Sequence, residues 1–93
     1  MVEYTVDFEG VNDYWGFYRA IINALDFPYW CGRNADAIWD MLTGHMEYPD
    51  VIYFRNFNSL PKSLDGIKTT VRTAFEEAAT FYKTKSYQFE IID

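Results

Sequence analysis

Asp36, Trp39, Asp40 and Thr43 are spaced by three and four residues, so a helix through them carries all four side chains on one face. Two carboxylates around an indole can act as an acid and base pair, hold a divalent cation, or meet a cationic partner. The first two roles need a cleft that desolvates the carboxylates and separates their behaviour, and a convex helix face has none. The third role needs only exposure. Asp36 falls in the first turn, where a carboxylate against the helix dipole is favourable by up to about 1 kcal/mol, so helix stability alone can account for it. Asp40 falls near the other end, where the dipole disfavours it, and its neighbour one turn back is the like-charged Asp36. A charge that weakens its own helix points to a partner. Trp39 in isolation would read as core; between two acids it is expected to be partly exposed and part of an interface.

Other reactive side chains carry weaker signals. His45 follows the helix, but without a second histidine or a cysteine pattern Asp40 and Glu47 do not make a metal site with it. Cys31 has only Arg33 and His45 near it and reads as a buried or bystander thiol. Glu76 can pair with Arg72 one turn earlier, whereas Glu77 has Thr73 and Phe81 at its helical neighbours. Lys62, Lys68 and Arg72 read as solvated surface.

The elements that must hold these residues follow from periodicity. Val2, Tyr4, Val6 and Phe8 alternate with polar residues, which predicts a strand with one buried face. Asn12 is a candidate cap for a helix whose inward stripe is Trp15, Tyr18, Ile22 and Leu25, with Gly16 a weak point in its first turn. Residues 26–33 form a loop with Pro28 and Gly32, unusual in containing Phe27, Tyr29 and Trp30. Asn34 caps the acidic helix, whose inner stripe is Ala35, Ile38, Met41 and Leu42, and Gly44 is expected to end it in the left-handed conformation. The run Val51–Phe54 predicts a central strand covered on both faces. After a loop over 56–63, Leu64, Ile67, Val71, Phe75, Ala78 and Tyr82 predict a helix over 64–83, and Tyr87, Phe89 and Ile91 predict a last strand over 86–92. The order strand, helix, helix, strand, helix, strand implies an α/β fold with a three-stranded parallel sheet.

Ninety-three residues are enough for one hydrophobic core, and 49% apolar with 24% charged residues is a globular composition. The net charge of −6 argues against binding phosphate backbones or anionic membranes. Residues 26–50 hold five acids against Arg33 alone, so the most acidic quarter contains both the aromatic loop and the helix. The single cysteine excludes an intrachain disulfide framework and fits a cytoplasmic location. The acidic N-terminus lacks the pattern of a signal peptide, and no membrane span is expected.

The stretch FPYWCGRNADAIWDMLTGHMEYP, residues 27–49, resembles the barstar family of intracellular ribonuclease inhibitors. The matching features are Pro28, Gly32, Asn34, Asp36-Ala37, Trp39-Asp40, Leu42-Thr43-Gly44 and Glu47-Tyr48-Pro49, about a quarter of the chain, with a weaker match in the helix bearing Phe75 and Glu77. The resemblance implies a single barstar-like domain over 1–93, a three-stranded parallel sheet packed with three to four helices, and no enzymatic activity or cofactor. It also implies a 1:1 complex with a basic ribonuclease or ribonuclease toxin, with no nucleic acid or membrane bound. Carried over residue by residue, the contact positions are Trp30, Gly32, Asn34, Asp36, Trp39, Asp40, Thr43, Gly44, Glu47 and Glu77. His45 joins them, although the family often has a bulky aromatic there. By the same resemblance, Asp40 would take the place of a substrate phosphate, Asp36 and Glu77 would pair with basic groups at the rim, and Trp30 would lie over the catalytic residues. Some relatives are immunity proteins against toxins of bacterial competition. The alternative is an acidic adaptor module for a basic partner that is not a nuclease.

Overall fold

The computed structural model describes residues 2–46, 49–81 and 86–93. Its elements in chain order are β1 (Glu3–Asp7), α1 (Tyr14–Ala24), α2 (Ala35–Gly44), β2 (Val51–Arg55), 3₁₀ turns at Phe57–Ser59 and Lys62–Leu64, α3 (Asp65–Ala79) and β3 (Gln88–Ile91). The three strands form one parallel sheet in the order β1-β2-β3. The α/β architecture and the parallel sheet expected from the element order are therefore present, with three α-helices. Among the described residues, no helix is long and apolar enough to cross a membrane.

The sheet is two-faced. Tyr4, Ile52 and Phe89 align across the strands, as do Val6, Phe54 and Ile91, and these side chains meet the core. Phe54 sits at its centre, with ring contacts to Phe8, Phe57, Phe75 and Phe89. On the opposite face Thr5, Tyr53 and Glu90 align, with Thr5 and Glu90 exposed and Tyr53 half-buried. The expectation of a strand covered on both faces holds at Val51, which is 3% exposed on that side, and is corrected at Tyr53. A tyrosine on a half-wet face keeps an apolar run unbroken without being core, because its hydroxyl end tolerates water.

Helix α1 begins one residue later than its sequence suggests. Asp13, not Asn12, is the cap: it is extended (φ −146°, ψ 172°) and its carboxylate accepts a hydrogen bond from the Gly16 amide at 2.7 Å. Gly16 has its reason there, since a Cβ would lie 2.9 Å from the capping oxygen. The buried stripe is Phe17, Tyr18, Ile21, Ile22 and Leu25. Trp15 stands about 90° from the centre of that stripe at 3.6 residues per turn. It is 60% exposed, contrary to the expectation that it packs inward.

Asn34 caps α2 as expected, accepting from the Ala37 amide at 2.8 Å. Gly44 does not end the helix in the left-handed region; it is the last helical residue, and His45 follows with φ −116°. The left-handed cap occurs instead after α1, at Asp26 (φ 56°). There the Phe27 amide reaches back to the Ile22 carbonyl at 3.0 Å and the Asp26 amide to Asn23 at 3.4 Å, a Schellman motif that seats Phe27 in the core.

Helix α3 is shorter than the expected 64–83. It closes through turn bonds from Thr80 to Glu77 and from Phe81 to Ala78. Tyr82 and Lys83, assigned to this helix from the sequence, lie outside the described residues. Its buried side is Val71, Ala74, Phe75, Ala78 and Ala79. Lys68 is not plain solvated surface: its side chain is 17% exposed, 3.9 Å from Asp65 and 5.1 Å from the Phe57 ring centre. Arg72 pairs with Glu76 at 3.3 Å on the exposed side, as its spacing predicts.

Candidate functional site

The start of α2 is fixed by Asn34, and its inward side by Ile38 and Leu42, both fully buried. Those anchors determine what faces out. Asp36 and Asp40 are exposed, and Trp39 is half-buried with its ring 5.2 Å from Phe81 in an edge-on contact. Asp40 stands one residue before the final turn of α2, so the dipole penalty on it is milder than its place in the sequence implies. Thr43 turns its hydroxyl back onto the helix, donating to the Trp39 carbonyl at 2.8 Å.

Packing of α2 along α3 leaves a groove of about 330 Å³ lined by Ala35, Asp36, Trp39, Thr70, Thr73, Ala74 and Glu77. Glu77, predicted as a contact from a distant helix, therefore shares a groove with Asp36 and Trp39. It is exposed.

The loop before α2 is held by its own backbone. Cys31 donates its amide to the Pro28 carbonyl at 3.0 Å. The Arg33 guanidinium folds back and donates to the carbonyls of Cys31 at 2.7 Å and Tyr29 at 3.3 Å. The Tyr14 hydroxyl of α1 donates to the Arg33 carbonyl, tying the loop to the first helix. At Gly32 a Cβ would lie 3.1 Å from both the Ala37 Cβ and the Asn34 side-chain Nδ2, so glycine permits the loop to press on the first turn of α2. Cys31 is buried, and burial pushes its thiol up, with the Arg33 charge pulling the other way.

This clamped loop presents Tyr29 (88% exposed) and Trp30 (62% exposed) to solvent. The Trp30 ring lies 6.3 Å from the exposed His45 ring, so the loop and the end of α2 meet. Gly44, beside His45, has nothing within 4 Å of where a Cβ would be. Of the residues singled out in the sequence, the structure joins Asp36, Trp39 and Glu77 in one groove, and Trp30 with His45. Asp40, Thr43 and Gly44 share the helix between them, while Asn34 and Gly32 shape the approach. Glu47 lies outside the described residues. Sequence reasoning missed Arg33 and Tyr14 as the residues that hold the loop; a lone base in an acidic quarter was the signal available for Arg33.

Among the described residues no group of three or more His, Cys, Asp or Glu side chains is placed to hold a metal ion. What the arrangement offers is an exposed acidic and aromatic face on a rigid support, suited to a cationic protein surface. The chain belongs to the barstar family: residues 1–93 match the family described as Barstar (barnase inhibitor). It is also similar to a protein of Bacillus subtilis (strain 168) named "Putative ribonuclease inhibitor YrdF", 36% identical over an alignment of 63 positions, with 63% of this chain and 69% of that one covered.

Proposed function

We propose that the protein inhibits a ribonuclease by seating the outer face of α2 and the loop over 29–33 in the enzyme's basic active site, as a 1:1 complex. Membership of the barstar family supports ribonuclease inhibition in general. The observation that carries the finer reading is the exposure of Asp36 and Asp40 on either side of a half-buried Trp39, on a helix whose opposite side is locked into the core.

A ribonuclease holds an anionic substrate, so its active site is concave and cationic. A convex helix with two carboxylates offers the charge of the phosphates and no bond to cleave. Asp40 meets the Arg and Lys side chains that would hold a substrate phosphate. Asp36 and Glu77 engage a cation at the edge of the groove they share, and Trp30 with His45 covers the catalytic residues. Forked guanidinium donors make charge-assisted bonds to each carboxylate once water is excluded. Opposed fields speed encounter toward ~10⁸ M⁻¹s⁻¹ at low salt. Speed matters to a cytoplasmic guardian of the cell's own RNA, whether the enzyme is its own secreted product or a rival's toxin. The same face repels phosphate, so RNA is not a ligand.

Titrating the protein into barnase and other basic ribonucleases, with cleavage of a fluorogenic RNA as readout, tests this. The expected result is loss of activity that reaches completion at one equivalent of protein. Undiminished cleavage across such a panel, with binding to some other basic protein instead, contradicts it and leaves the adaptor reading.

A further inference from the structure

Among the described residues six large apolar side chains are exposed, and four of them belong to the first turn of α1 or to the loop before α2: Tyr14, Trp15, Tyr29 and Trp30. These two segments are joined. The Tyr14 hydroxyl bonds to the Arg33 carbonyl, the Arg33 guanidinium bonds to the Tyr29 carbonyl, and the Trp15 ring lies 5.6 Å from that of Tyr14. Trp15 lies off the buried stripe of α1, so an indole stands in water where packing does not require it. Its surroundings repeat the chemistry of the α2 face. Asp7, Glu9 and Asp13 line the concavity that borders this end of α1, and the one base among its lining residues is Arg19, one turn after Trp15.

We infer that the contact face continues past the loop onto Tyr14 and Trp15, and that its occupant is a cationic segment of the same ribonuclease outside the active-site groove. This rests on the inhibitor reading above. Lys or Arg side chains on that segment stack on the Trp15 indole while the neighbouring carboxylates supply the field. The second contact makes Trp15 a specificity residue: it selects among ribonucleases whose active sites are alike.

The test uses the full chain and the ribonuclease of the panel that wild type inhibits most strongly. Dissociation constants are measured for wild type, Trp15→Glu, Trp15→Ser and, as a control on the open sheet face, Thr5→Glu. The expected result is binding at least tenfold weaker for both Trp15 variants, unchanged for Thr5→Glu, with unaltered melting temperatures. Wild-type affinity in both Trp15 variants, with inhibition intact, overturns the extension and spares the inhibitor reading. Weakened self-association of free protein, with ribonuclease affinity untouched, assigns the patch to a second copy and also overturns it. Failure of wild type to inhibit any enzyme of the panel overturns both.

Discussion

Asp40 carries the sharpest expectation, because among the described residues no hydrogen bond or ion pair uses its charge. It is exposed, and like-charged Asp36 lies one turn back. Truncation of one partner of a buried interfacial ion pair leaves the other unpaired, at a cost of about 2 kcal/mol or more; barnase with barstar is itself among the systems behind that generalisation. Asp40→Ala should therefore weaken ribonuclease binding at least about thirtyfold by calorimetry. Its melting temperature should hold or rise slightly, since a misplaced helix charge is lost. Unchanged affinity with a collapsed melting temperature would make Asp40 structural. Tyr18 supports a prediction of another kind. Burial pushes its phenol from 10.0 up to about 12. Between those two values the unfolded chain has given up a proton that the folded one keeps, so stability must fall as pH rises through that window. Urea midpoints at pH 9 and 11 should differ in that direction, and Tyr18→Phe should flatten the difference.

At the scale of elements, the strands and the start of α2 were legible, the cap of α1 was missed by one residue, and the helix ends were not legible. Asn34 is followed by an amphipathic run and was read correctly, because a cap and a periodic stripe reinforce each other. Asn12 and Asp13 are both good caps, and only tertiary packing of Phe17 and Ile21 chooses Asp13. Gly44 looked like a left-handed stop but continues α2, while Asp26 adopts that conformation after α1 without being glycine. Asp26 is exposed and spends steric energy at φ 56° that glycine would not. Asp26→Gly should accordingly raise stability by about 0.5 kcal/mol, visible as a higher melting temperature. A fall would mean that the carboxylate makes up for its conformation. The clamp on the loop could not be read from the chain, since it needs the Tyr14 hydroxyl and the Arg33 side chain to converge on backbone carbonyls.

For the whole molecule, the charge distribution sets the behaviour. Residues 26–50 hold five acids against Arg33 alone, while Arg55, Lys62, Lys68 and Arg72 concentrate in the following segment. Such asymmetry orients an approaching cationic enzyme, so the association rate should fall steeply between 50 and 500 mM salt while the dissociation rate changes little. Equal salt dependence of the two rates, by stopped flow, would remove steering from the account. The face itself was legible in outline, because Asp36, Trp39 and Asp40 lie on one helix. The groove with Glu77 depended on how α2 and α3 pack, which local periodicity does not encode. The central claim is that this acidic face occupies the place of RNA in the enzyme's active site. Steady-state kinetics of the inhibited ribonuclease at several RNA concentrations test it most directly. The account predicts purely competitive inhibition, relieved by rising substrate and lost in the double variant Asp36→Asn with Asp40→Asn. Inhibition that persists at saturating RNA, or survives in that double variant, would contradict it.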